Sequence, residues 1–295
     1  QVYDYAQGAL LSGVPTNTNT VGNLSNATAL NLGARHSNNL STNLVVSNSA
    51  TGNTNYVETL GVVFSGGTNV SGSGSISGLV NGFTNSGMQV TLGNTNLGSN
   101  SGTIQVVYTS QTNANEAGLT NTSLGTNTVT VSAVIFAYAQ ATTAGGGTTN
   151  TNTVDSPTNN TTVVDLGARH TNSSFLTNLV VSNSATGDTN FVETLGGALA
   201  NQTNITGSGF SGLTNGGSTN LGLTLGNTNL GSNSGTVQVV YTSQTNANET
   251  GLTNTVIGTN TVTVKAVVYD YAQGALLSGV PVSYTHLRAH ETDSY

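Results

Sequence analysis

The feature that most constrains this fold is an internal repeat. LGARH at 32–36 returns at 166–170, and TNLVVSNSATG beginning at Thr42 returns at Thr177. LGNTNLGSNSGT beginning at Leu92 returns at Leu225, and QVVYTSQTNANE beginning at Gln105 returns at Gln238, so the period is about 133 residues. The spacing gains one residue after His170 and loses two between Gly197 and Asn220, and small length changes of this kind belong in loops. VYDYAQGALLSGVP stands unchanged at 2–15 and 268–281. On this pattern the chain reads as a window on a longer tandem array. Residues 1–15 are expected to be the last strand and linker of a truncated preceding repeat. Residues 22–140 and 162–273 are the two repeats, 141–161 is a linker rich in Gly, Thr and Asn, and 274–282 starts the next linker.

Within each unit, apolar residues recur at every second position or in short runs bounded by Gly, Asn, Ser and Asp, which is the punctuation of strands. Seven strands are expected in the first copy, near 29–36, 42–49, 55–64, 70–78, 88–93, 102–111 and 126–138. The last is the clearest. Val129, Val131, Ala133, Ile135 and Ala137 share one face, and Thr128, Thr130 and Ser132 the other. The second copy repeats the set, ending near 259–271, and no window has helical periodicity with a cap. The expected fold is all-β, two tandem seven-stranded immunoglobulin-like β-sandwiches. A parallel β-helix would need a much shorter period inside the unit, and none is found.

LGARHTNSSFLTNLVVSNSATGDTNFVETL, SGLTNGGSTNLGLTLGNTNLGSNSGTVQVVYTS and GTNTVTVKAVVYDYAQ resemble the bacterial tandem repeats called choice-of-anchor D, which are similar to the ASH/hydin class of immunoglobulin-like domains. The resemblance covers both units. It implies a large secreted or surface-attached bacterial protein in which such modules act as structural spacers or adhesive elements. At the other end, 283–292 resembles the conceptual translation of a transposase-type sequencing adapter. Residues 283–295 are therefore set apart from the fold and read as an adapter-derived artefact.

Chemistry is thinly provided. The 295 residues hold 4 Lys and Arg, 11 Asp and Glu, 4 His and no Cys. Few groups remain to move protons or attack substrates, so the chain is read as non-catalytic, with no cofactor and no metal site. Disulfides are excluded. Four basic residues form no patch for phosphate, which argues against nucleic acid, and no apolar run is long enough to insert in a membrane. A Ser-His-Asp reading of His36 and His170 would need an acid in each unit, yet Asp165 aligns with Asn31. A Lys–Asn cross-link fails in the first copy, because the lone lysine, Lys265, aligns with Ser132. Calcium would find only Asp155 in the linker and Asp188, which aligns with Asn53. Sequons at Asn23, Asn69 and Asn248 are expected by chance in a chain so rich in Asn and Thr. The short TNTNT and TNTVTV runs lack the stacked register of an ice-binding face, and the absence of Trp weakens a glycan platform.

The expected role is a structural spacer, stalk or adhesin segment outside the cell, its partners being neighbouring repeats of the same chain. The competing role is a module that binds a surface glycan or protein through the loops at 111–118 and 244–251. Among the charges, Arg35 recurs as Arg169, Glu58 as Glu193 and Glu116 as Glu249. Glu58 alternates with Tyr56 and Leu60 on a semi-buried face, where an unpartnered carboxylate is costly, so an Arg or His contact to Glu58 and Glu193 is expected. Glu116 is expected in a polar loop. The breaker-rich linker predicts units that fold alone and touch only slightly.

Overall fold

The computed structural model describes residues 2–13, 15–112, 116–146, 148–153 and 158–274. The first unit contains β1 (Gly8–Leu10), β2 (Asn17–Asn19), β3 (Ser25–His36), β4 (Ser41–Asn48), β5 (Thr59–Thr68), β6 (Val70–Ser73), β7 (Ile76–Leu79), β8 (Thr84–Leu92), β9 (Gly98–Gln111) and β10 (Thr122–Phe136). They form two five-stranded sheets, ordered β2-β1-β4-β8-β6 and β3-β10-β9-β5-β7. The second unit repeats this arrangement with β11 (Ala141–Gly145), β12 (Thr148–Asn152), β13 (Asn159–His170), β14 (Leu176–Asn183), β15 (Thr194–Thr203), β16 (Ile205–Gly207), β17 (Phe210–Leu213), β18 (Ser218–Leu225), β19 (Gly231–Gln244) and β20 (Thr255–Tyr269). Each unit is an all-β, immunoglobulin-like sandwich.

Alternation explains the strands. Along β9 the even positions from Gly98 to Ser110 are buried, and along β10 Val129, Val131, Ala133 and Ile135 are buried, on the face the sequence predicts. Each such aliphatic side chain contributes roughly 1.5–3 kcal/mol when fully buried. The two inner faces meet in a core that includes Leu44, Leu60, Met88 and Tyr108, matched in the second unit by Leu179, Leu195, Leu221 and Tyr241.

Three features depart from expectation. The units have ten strands, not seven. The strand expected at 70–78 is two short strands in opposite sheets, β6 on β8 and β7 on β5. The remaining extra strands come from segments read as linkers or, for β2, left outside both repeats. Within the stretch read as the end of another repeat, residues 6–10 are part of the first sandwich: β1 pairs with β4, and Ala6 and Leu10 sit in the first core. The expected linker at 141–161 holds the hairpin β11–β12 and the start of β13, and β11 pairs with β14. These strands escape an apolar-pattern reading because small and polar residues fill their inward positions: Ala141, Thr143 and Asn152 are each 0% exposed. The artefact expected at 283–295, all of 274–282 beyond Gly274, and Asp155 lie outside the described residues.

Candidate functional site

The chain leaves β10 at Phe136 and begins β11 at Ala141, so four residues carry it from one sandwich into the next. Those residues are held. Ala137 donates its amide to the Phe191 carbonyl at 2.9 Å and accepts from the Glu193 amide at 2.9 Å, and Ala139 donates to Ser243 Oγ at 2.6 Å. Phe136 packs against Phe191, ring centroids 5.8 Å apart. On the same side, Leu97 of the first unit presses on Gly187, where an added Cβ would lie 2.5 Å from the leucine Cδ1. The units touch over a small area, as the linker led one to expect, but the contact is specific, made by Phe136 and Leu97 on one side and Phe191 and Gly187 on the other.

At its centre is a histidine. β3 and β10 run parallel, and their register slips between Asn31 and Ala34. Gly33 takes φ +73° there and its amide is accepted by Asn31 Oδ1 at 2.8 Å, a bulge that turns the strand end. His36 is thereby delivered beneath the second unit. Its ring stacks on Tyr138 at 3.7 Å, its Nε2 lies 2.9 Å from Glu193 Oε1, and it is 8% exposed. Glu193 is 0% exposed, and its other oxygen accepts from Ser243 Oγ at 2.5 Å. The loop 244–251 brings Glu249 into the same cluster. Burial pushes the Glu249 carboxyl up to about 7. The Asn246 amide hydrogen bond and the charge of His36 oppose that rise, and Glu193, by charge and by a shared hydrogen bond, adds to it. His36 from the first unit and Glu193 from the second meet here, and the contact fastens the two domains. The hydroxyl bonded to the Glu193 carboxylate, Ser243 Oγ, is spent on it and on the Ala139 amide, on the Glu193 side of the cluster opposite His36.

The expected His contact therefore exists for Glu193, but the histidine comes from the neighbouring unit. For Glu58 the expectation fails among the described residues. Its Oε2 is buried with no hydrogen-bond partner, and a cavity of about 590 Å³ opens beside it, lined by Tyr3, Tyr5, Glu116 and Leu119 among others. Glu116 is 3% exposed, not loop-surface as expected. His170 is exposed, stacked on Tyr271 at 4.1 Å. Arg35 donates to the Ala34 carbonyl at 3.1 Å, and Arg169 is exposed. Lys265 lies on the surface, 3.2 Å from Asp165. The Gly167 amide first, and Lys265 second, hold that Asp165 carboxyl below its usual range. Asp188 accepts from the Asn190 amide at 2.9 Å and caps the short turn Thr189–Phe191. Asn23, Asn69 and Asn248 are exposed. Among the described residues no group of three or more His, Cys, Asp or Glu is arranged to hold a metal ion.

Sequence reasoning missed Ser243, Tyr138, Leu97 and Phe191. The signal was the repeat itself, since YAQ recurs at each unit boundary and marks where one domain enters the next.

No protein-family model matches the chain, and no curated protein matches it. Several solved structures are similar to it. One is a protein of unknown function from Porphyromonas gingivalis W83, with 14% identity and a TM-score of 0.23, over 77% of this chain and 90% of that one. Another is CfaE, the adhesive subunit of the CFA/I fimbria of enterotoxigenic Escherichia coli, with 12% identity and a TM-score of 0.26, over 90% and 88%. A third holds extracellular cadherin domains 1–4 of protocadherin gamma B7, with 8% identity and a TM-score of 0.32, over 88% of this chain and 56% of that one.

Proposed function

We propose that this chain is a non-catalytic spacer: a stiff stalk segment of an extracellular or cell-surface protein, built by stacking like sandwiches end to end. The observation that carries the reading is the His36–Glu193 contact at 2.9 Å, which with the paired hydrogen bonds of Ala137 fixes one unit on the next. A spacer needs such a junction, because a freely jointed chain collapses and holds nothing at a set distance. The likeness of the repeat motifs to choice-of-anchor D modules supports the surface setting and is part of the proposal. No helix among the described residues is long and apolar enough to cross a membrane. A ligand-binding role for the loop 244–251 is not favoured, since its Glu249 is 2% exposed and faces the junction.

Small-angle X-ray scattering tests the reading. The parent chain is expected to give one narrow inter-unit distance. The double variant His36→Ala with Phe191→Ala is expected to broaden it while each sandwich stays folded. A parent profile already as broad as that of the variant would overturn the stalk.

A further inference from the structure

Asparagine followed by glycine is a chemically reactive pair, because no Cβ shields the glycine nitrogen from the asparagine carboxamide. The pair occurs twice in the sequence, at 81–82 and at 215–216. Both stand at the same place in the repeat, in the turn between β7 and β8 and in its copy between β17 and β18. Gly82 and Gly216 take φ of +80° and +73°, which keeps a glycine at each place. The fold restrains the two pairs alike. Asn81 Nδ2 donates to the Gly52 carbonyl at 3.0 Å, and the Gly82 amide donates to the Asn48 carbonyl at 2.8 Å. Asn215 Nδ2 donates to the Gly187 carbonyl at 2.8 Å, and the Gly216 amide to the Asn183 carbonyl at 2.8 Å. In both asparagines Oδ1 is buried with no hydrogen-bond partner, so each carboxamide is held through its nitrogen. The pairs differ in what they support. Gly52 faces Val57 of its own unit, whereas Gly187 is the seat of Leu97 from the other unit, and its loop runs on into Phe191 and Glu193.

We propose that Asn215 is a site of spontaneous deamidation, and that its conversion unseats the junction between the units. The Gly216 nitrogen loses its proton to hydroxide and attacks Asn215 Cγ. A C–N bond forms, the Cγ–Nδ2 bond breaks, and ammonia leaves. Water then opens the resulting succinimide at one carbonyl or the other, giving aspartate or isoaspartate, with no change of oxidation state. Both hydrogen bonds of the pair must release first, so the rate follows local opening of the turn at 214–217. In the product a carboxylate oxygen stands where Nδ2 donated. It faces the Gly187 carbonyl oxygen, and two acceptors repel where a donor and an acceptor were bonded. Isoaspartate also adds a methylene to the main chain. Either product displaces Gly187 from beneath Leu97, so the second turn sets a clock on the joint, and the first turn carries the same chemistry away from it. The consequence for the junction rests on the stalk reading; the modification itself does not.

Peptide mapping by mass spectrometry, on chain incubated in mildly alkaline buffer, tests the site. In denaturant, Asn81 and Asn215 are expected to convert ahead of the other asparagines. In the folded chain Asn215 is expected to convert roughly tenfold or more slowly, because the turn must open first. A folded chain that converts as fast as the denatured one, or that shows no conversion at Asn215 after weeks, overturns the site. Small-angle X-ray scattering tests the consequence. The converted fraction, separated by its extra negative charge on anion exchange, and the product mimic Asn215→Asp are expected to show a broadened inter-unit distance. Asn81→Asp is expected to match the parent, and far-UV circular dichroism checks that both variants fold. Should Asn215→Asp fail to fold, the converted fraction of the parent chain decides. Converted chain that scatters like the parent overturns the effect on the junction. A parent already as broad as the converted chain overturns the stalk and the junction effect together, while the mapping decides the modification on its own.

Discussion

The buried amide of Asn183 accepts from the amides of Gln140 at 3.1 Å and Ala185 at 3.3 Å, and donates to the carbonyls of Glu193 and Leu213, both at 3.1 Å. One side chain thus joins the first strand of the unit to both sheets, and Asn48 does the same in the first unit. Replacing Asn183 by Ala strands these backbone groups, and a loss of about 2–4 kcal/mol is expected in the unfolding of the second unit by denaturant. The sequence could not single Asn183 out, because it stands among many asparagines and only the fold decides which are inside. Glu249 was legible as a repeated acid but not as a junction group, since its burial depends on a histidine far away in the chain. Its carboxyl is raised from 4.5 to about 7 in the folded state. The stability it contributes is full below 4.5, where both states hold the proton, and is lost as pH rises to about 7. The groups facing it are Glu193 and His36. Glu249→Gln is therefore expected to lose less stability than the parent between pH 4.5 and 7, as thermal melts across that range would record.

Among the elements, the long strands were legible because their inward positions are aliphatic. β9, β10 and their copies alternate plainly, and the expected Val129 to Ile135 face is the buried one. The hairpin β11–β12 was not legible. Its glycines and threonines read as a linker, yet Thr143 hydrogen-bonds Tyr241 inside the core, and Asn152 donates to Thr158 and Thr259. Polar groups satisfied in this way do the work that apolar residues do elsewhere in the fold. A consequence follows for fragments. Residues 161–273 lack the hairpin and are expected not to unfold cooperatively, whereas 135–274 include it and are expected to do so. Calorimetry of the two fragments decides between a hairpin that belongs to the fold and a linker.

The molecule as a whole is held together with almost no charge. With 15 charged residues in 295, and one ion pair among the described residues outside the junction, Lys265–Asp165, little remains for salt to screen. Stability is expected to change by less than about 1 kcal/mol between low and high salt, measured by denaturant midpoints. The directional order of the strands bears on something else, the response to tension. β3 and β10 lie parallel through ten register pairs, and β10 leads out of the unit at the far end from β1. A pull on the two ends of the unit therefore slides these strands lengthwise past each other and loads their hydrogen bonds together, where a pull across them would open the bonds singly. The three-pair contact of β1 with β4 shares the same axis and is the shorter of the two. Under load it is expected to yield first while the longer clamp still holds, so that a chain serving as the proposed stalk would give way by a small step before it resists as a tether.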